Sequence, residues 1–356
     1  MRYHFAIPCW GAFYIDYFLD LSLPSMLAPG NLPAFATPEN CRLQIYTRPG
    51  DRAQFEASPV MAEAARYATI DLRMLPDQFA REVSREQIGL KLDMMSLVHQ
   101  AGIKAAQGLP DTAISLVNAD LIYADGALSH AAKLMADGAG AVLAAIPRMS
   151  LETGRPLIEA FRSGNAPALV IPPRGLAGCM RPGMLPEWRT REWGHPTFTK
   201  WPNQFFWPAG GKSFVMRALH THPIFVRPDR KIERLTMTVD RDYVFTVIDD
   251  HSRIHLATHS DDICMVDLSP DDYLKQALGS GPQDAHAVAQ WIAGFAAPES
   301  QLRQILKPLV FLADEAEREA CEQAARDSQP VAETVVSLAR SLGFMAKKFG
   351  APQLPE

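Results

Sequence analysis

The sequence predicts an α/β fold: a mostly parallel, Rossmann-like sheet sandwiched by helices, with an irregular aromatic and proline-rich insertion and a helical C-terminal region. Three observations predict it. From residue 3 to residue 146, short apolar runs bounded by proline, glycine or aspartate alternate with longer segments of helical spacing. The style changes near residue 150, and residues 163–213 hold four of the six tryptophans among many prolines and glycines. After residue 283 apolar residues return at helical spacing.

The elements follow in order. "YHFAIP" (3–8) is a strand ended by Pro8, and "GAFYIDYFLDLSLPSML" is a helix that stops at the proline and glycine of "APGNLP". "CRLQIYT" (41–47) is the second strand, "DRAQFEASPVMAEAARY" a helix interrupted at Pro59, and "ATIDLRML" the third strand. A long helix spans 84–107, where Ser84 and Gln87 have the spacing of a capping box. "TAISLVNAD" is a strand, a helix begins near Gly126, and "GAVLAAIP" is a further strand. The segment 163–213 is too aromatic for a disordered linker and reads as a folded insertion that shapes a pocket or covers the sheet. "KSFVMRALHTHPIFVRP" is two strands around "HTHP", and "TMTVDRDYVFTVI" and "RIHLATHSDDICMVDLSP" are strand-like runs with acidic ends. The expected division is 1–150, 151–282 as the other half of the same α/β domain, and a helical 283–356.

Bulk properties bound the function. A net charge of -5 and a pI near 6.1 argue against a nucleic-acid binder that neutralises phosphates broadly, but leave room for a small anionic ligand in a local pocket. Five widely spaced cysteines with no C-x-x-C fit reduced thiols in a cytosolic protein rather than a disulfide scaffold or a thiolate zinc site. The apolar N-terminus is broken by His4, Pro8, Gly11, Asp16 and Asp20, which is not a signal-peptide pattern, and no uncharged apolar run reaches about 18 residues.

The P-loop and G-x-G-x-x-G motifs are absent, as are G-x-S-x-G and H-E-x-x-H. "AGGKS" (209–213) has only the tail of a P-loop. The informative stretch is "SLVNADLIYADGAL" (115–128): a buried strand ends in Asn118, Asp120 and Asp125, then turns into a helix. Ligands of parallel α/β sheets bind outside the carboxyl ends of the strands. "PCWG" and "YTRPGD" place polar or glycine-containing turns at two other strand ends.

A strand, an acidic D-x-D-like triplet, an apolar pair and a turn into a helix resemble the metal-binding motif of nucleotide-sugar glycosyltransferases of the GT-A fold. Here the triplet is "NAD", with Asn118 at the first acidic position and Asp120 at the second. The opening strand, the "YIDYFLDLSLPS" helix and the "IYT" strand are similar to those of uncharacterised bacterial proteins of that kind. The likeness covers roughly residues 1–225. It implies a glycosyltransferase using a nucleotide-diphosphate sugar as donor and a glycan or lipid-linked cell-surface acceptor, as in polysaccharide synthesis. It implies Mn²⁺ or Mg²⁺ bridging the diphosphate, with Asn118, Asp120 and a histidine pair, His220 and His222, as ligands. Residues i and i+2 of a strand share a face, so each pair is expected to point one way. Pro8, Trp10, Tyr46 and Thr47 are the expected nucleoside contacts, with Asn118 and Asp120 at the diphosphate. Asp125 and Asp240 are candidate catalytic carboxylates, the role an inverting enzyme needs filled. Asp242, Asp249, Asp250, Asp261 and Asp262 are weaker candidates, and Arg217 and Lys212 are possible phosphate partners or plain surface charges. The expected location is cytoplasmic. The "LARSLGFMAKKFG" segment (338–350) has the composition for peripheral contact with an anionic membrane, though such a helix more often packs on its own domain. Asparagine in the triplet also suits a catalytically degenerate binding protein. A sugar nucleotidyltransferase is a further alternative, though the glycine-rich loop expected after the first strand is missing.

Overall fold

The computed structural model describes residues 1–76, 88–235, 238–282, 284–295 and 297–349. The helix cap expected at Ser84 and Gln87 lies outside them. The strands are β1 (Arg2–Pro8), β2 (Cys41–Thr47), β3 (Thr69–Met74), β4 (Thr112–Leu116), β5 (Leu121–Tyr123), β6 (Ala141–Ala144), β7 (Arg148–Ser150), β8 (Gln204–Ala209), β9 (Ser213–Ala218), β10 (His222–Val226), β11 (Ile254–Leu256), β12 (Met265–Ser269) and β13 (Leu309–Phe311). Seven of them form the central, mostly parallel sheet, in the order β11-β6-β10-β4-β1-β2-β3. The fold is Rossmann-like α/β, as the alternation of elements predicts.

Both faces of this sheet are covered, which is why its strands read as continuous apolar runs rather than alternating ones. Phe5, Ile7, Leu43, Ile45 and Phe225 pack on one face against the helix Ala127–Ala136 and the N-terminal helical segment. Ala6, Tyr46, Ile114 and Leu116 pack on the other against Met94, Val98 and Ile103 of the helix Ile88–Ala106. β1 is parallel to both β2 and β4, with Pro8 beside Tyr46 and Ala6 beside Leu116, so three carboxyl ends reach one edge together. β10 enters antiparallel between β4 and β6. Its first residue, His222, therefore arrives at the same edge.

Two three-stranded sheets complete the architecture, β5-β12-β7 and β13-β9-β8. The second is antiparallel and packs under the helices Ala285–Ala293 and Arg318–Phe349. The region after 283 is thus not purely helical: Leu309–Phe311 pairs with β9. The run "DYVFTV" is another departure, forming the helix Tyr243–Val247 rather than a strand, with Tyr243, Val244, Phe245 and Val247 all buried. The aromatic insertion is a packed connector of short helices at Pro173–Met180 and Pro186–Arg189 leading into β8. Trp193 stacks on Trp207 with centroids 5.5 Å apart, and Glu187 and Arg191 form a buried ion pair at 3.0 Å.

Candidate functional site at the carboxyl edge of the sheet

The chain leaves β1 through Cys9, whose N–H donates to the Tyr46 carbonyl at 2.9 Å, and through the half-buried Trp10. Gly11 then adopts φ 81°, a left-handed conformation that side chains disfavour, and its N–H donates to Asp51 Oδ2 at 2.8 Å. β2 gives way after Thr47 to Arg48 and Pro49. β4 ends at Leu116, and Val117 still donates to the Ala6 carbonyl at 3.1 Å. A tight turn follows, closed by Leu121 N–H on the Asn118 carbonyl at 3.2 Å. Asn118 and Asp120 therefore sit in a turn and not on one face of a strand, because pairing to β1 stops before them.

Near this edge lie buried polar atoms with no hydrogen-bond partner among the described residues: Thr47 Oγ1, Arg48 Nε, Asn118 Oδ1, both ring nitrogens of His99 and the Tyr17 hydroxyl. A buried polar group left unpaired costs about 1–3 kcal/mol, so atoms of this kind are ordinarily met by a ligand or by ordered water. His99 projects from the helix Ile88–Ala106 and lies near His222 and the Val117 main chain, without a well-formed hydrogen bond. Burial first, and the neighbouring His222 second, push its pKa down to about 3. The imidazole is neutral.

Asp120 belongs to a charged group one layer away. Arg148 binds Asp267 at 2.6 Å, donates to Ser269 Oγ at 2.8 Å and lies 4.6 Å over the Tyr273 ring. β12 holds Asp267 beside both Arg148 of β7 and Leu121 of β5, which brings Asp120 to the pair. Burial first and the Asp267 carboxylate second raise the Asp120 pKa, with Arg148 opposing. The field of Asp120 in turn helps raise the Cys9 thiol and the hydroxyls of Tyr14 and Tyr17, after burial.

The histidines go elsewhere. His222 shares its Nε2 with the Leu116 carbonyl at 2.7 Å. His220 precedes β10 and packs edge-on to Phe295 at 5.2 Å, near Trp291. The two do not share a strand face, since only His222 is in the strand. Asp240 lies near both: burial works to raise its pKa, but His220, Thr238 and His222 together hold it low. Burial lowers both histidines. The arrangement is an ionised Asp240 facing neutral imidazoles. Among the described residues no group of three or more histidine, cysteine, aspartate or glutamate side chains is placed to hold a metal ion. Of the residues expected at a metal, His222 engages the Leu116 carbonyl and His220 packs beside Phe295 and Trp291.

The other expected residues are placed as follows. Pro8 ends β1 at the edge, and Thr47 ends β2 beside it. Tyr46 is core: its ring lies against Gly102 and its hydroxyl donates to Gln44 Oε1. Asp125 Oδ1 accepts from Gly30 N–H at 2.6 Å and holds the turn before residue 31. Arg217 is fully buried and donates to Ser328 and to the Ile305, Leu306 and Ala325 carbonyls, so it is neither a surface charge nor a phosphate ligand. Asp249 pairs with Arg230, Asp250 accepts from Ser252, and Asp261 pairs with Arg174. Sequence reasoning missed His99, Arg48, Asp267 and Arg148. His99 carried a signal, a polar residue in register with the buried Met94, Val98 and Ile103.

No protein-family model matches the sequence, and no curated protein matches it. Among solved structures, a Bacillus anthracis protein assigned as a glucose-1-phosphate thymidylyltransferase, crystallised with sucrose, is similar at 11% identity. That similarity covers 42% of this chain and 55% of that one, with a TM-score of 0.22. The chain thus spans about half the length of that structure. A likeness so slight carries no argument about activity. No helix among the described residues is long and apolar enough to cross a membrane.

Proposed function

We propose that the protein is a glycosyltransferase of GT-A type that takes a sugar from a nucleotide-diphosphate donor and passes it to a hydroxyl of a glycan or lipid-linked acceptor. The observation that carries this reading is the group of buried polar atoms without a partner among the described residues, Thr47 Oγ1, Arg48 Nε and Asn118 Oδ1, at the carboxyl ends of β2 and β4, the two strands that flank β1. A polar ligand lying across β2, β1 and β4 satisfies them, and the ligand position matches the general rule for parallel α/β sheets. Pro8 and Trp10 flank it at the end of β1.

On the acceptor side, Asp240 is the proposed base. It is ionised beside neutral His220 and His222, so it can accept the proton of a hydroxyl as the new glycosidic bond forms. The half-buried Trp291 and Phe295, with centroids 4.3 Å apart beside His220, offer apolar faces of the kind that sugar rings cover. No step of this reading is routed through the divalent cation that the resemblance implies.

The test is a thermal-shift screen of nucleoside diphosphates and nucleotide sugars, with and without Mn²⁺, on wild type, Asn118→Ala and Asp240→Asn. One nucleotide is expected to stabilise the wild type and to lose most of that effect in Asn118→Ala. Asp240→Asn is expected to keep the binding but lose at least a hundredfold in transfer rate. No shift with any nucleotide would sink the reading; binding without transfer or hydrolysis would mark a degenerate binding protein.

A further inference from the structure

Arg48 is unlike the other deeply placed arginines of this protein. Where the fold buries a guanidinium it surrounds it with acceptors. Arg217 reaches three main-chain carbonyls and the Ser328 hydroxyl, and Arg191 binds the Glu187 carboxylate and the Asn203 side chain. Arg148 is held by Asp267 and Ser269. Arg48 is half-buried, its Nε is shielded from solvent without an acceptor, and among the described residues no carboxylate forms an ion pair with it. The nearest acid in sequence, Asp51, is turned to the Gly11 N–H instead. A desolvated donor of a permanently charged group is costly to leave unmade.

Its surroundings fit a missing anion. Arg48 directly follows β2, at the carboxyl edge of the parallel sheet. Gly11, at the end of β1, has no side chain to cover the guanidinium: a Cβ there would lie 3.7 Å from Arg48 Nη2, and the φ of 81° independently disfavours any other residue. The planar fork of arginine matches two oxygens of one phosphate, a geometry a lysine does not reproduce.

We propose that Arg48 is an oxyanion site that takes a phosphate group of the ligand bound at the sheet edge, the approach being kept open by Gly11. As a statement about the diphosphate of a sugar nucleotide it rests on the function proposed above; as a phosphate site it stands on its own geometry.

The test is isothermal titration of the full-length chain with inorganic pyrophosphate, a panel of nucleoside diphosphates and the matching nucleosides. Wild type is compared with Arg48→Met, which keeps an unbranched apolar stem and removes the charge, and with Arg48→Lys, which keeps the charge and removes the fork. Circular dichroism and melting temperature check folding. Arg48→Met is expected to weaken pyrophosphate and nucleoside diphosphate binding at least tenfold, and to leave nucleoside affinity within about twofold. Arg48→Lys is expected to fall between, and to serve alone if the methionine variant does not fold. Unchanged pyrophosphate and diphosphate affinity in both variants would overturn the assignment while leaving a nucleotide site standing. Arg48-dependent pyrophosphate binding with no preference for any nucleoside diphosphate would support the oxyanion site and overturn the nucleotide reading. Absence of pyrophosphate and nucleotide binding in wild type would overturn both.

Discussion

Gly102 shows how closely the helix Ile88–Ala106 sits on the sheet, since a Cβ there would fall 2.2 Å from Ala6 Cβ. Helix propensity favours Gly→Ala by about 1 kcal/mol, but overpacking costs about 1–3 kcal/mol and no flexible atom is there to yield. Gly102→Ala is therefore expected to be destabilising, read as a lower urea midpoint; a gain in stability would show that the helix can move off β1. His99 gives a pH signature. Its folded pKa, near 3, lies below the ordinary histidine value, so the unfolded chain takes up the proton first. Stability is full above about 6.5 and falls as pH drops toward 3, by up to about 1.4 kcal/mol per pH unit from this group. His222 and Asp240 face it, and the depressed His220 and His222 add slope of the same sign. His99→Gln is expected to flatten the dependence of the urea midpoint on pH between 7 and 5; an unchanged slope would remove His99 as a source. Residue by residue, the edge was half legible. Asn118 and Thr47 announce themselves as polar residues closing apolar strands, whereas Asp267 lies in the run "MVDLS" and only its pairing to β5 and β7 brings it to Asp120.

At the scale of elements, local pattern served well wherever one element buries its own run. β2 spans Cys41–Thr47 as its apolar run predicts, and the helical segment after residue 51 breaks before Pro59 as proline requires. The helix after Gly11 contains a wider π turn at Phe18–Ser22, a feature that no spacing rule revealed and that often accompanies functional sites. Pattern failed at the strand ends, where tertiary contacts decide the conformation. The C-terminal helix Arg318–Phe349 buries one face on the helix Ala285–Ala293. Ala332, Val335, Val336 and Ala339 pack against Val288, Ile292 and Phe205, and Arg340 pairs with Glu299. Just before that helix, Glu317 accepts hydrogen bonds from the N–H groups of Gly211, Lys212 and Ser213 and from the Ser213 hydroxyl. The "AGGKS" turn thus cradles the protein's own carboxylate. Glu317→Gln is expected to cost about 1–3 kcal/mol and to raise amide exchange at 209–213 and 314–322 specifically. Exchange that rises evenly over the chain, or not at all, would show that the clamp is not local.

For the molecule as a whole, the decisive geometry is the meeting of β1, β2, β4 and the reversed β10 at one edge. It gathers residues from four separated stretches: Trp10, Arg48, Asn118 and His222. If this edge is the ligand site, substitutions there are expected to change nucleotide binding with little effect on stability, while Asp125→Ala, which releases Gly30, is expected to lower stability with little effect on nucleotide affinity. Parallel thermal-shift and titration series separate the two classes. A stability loss shared by both would mean that the edge is merely structural.

The amino-acid sequence by itself determined the class of fold, the alternation of strands and helices up to about residue 146, and the strand ends that carry polar residues. Those features follow from local periodicity and from the chemistry of proline, glycine and buried apolar runs, which act within a dozen residues. Which polar residues share a site was decided only in three dimensions. Antiparallel insertion of β10 engaged His222 at Leu116, β12 placed Asp267 at Asp120, and Arg48 came to lie beside Gly11 with no acceptor for its Nε among the described residues. Each depends on contacts between segments far apart in the chain, and no spacing rule along the chain encodes them.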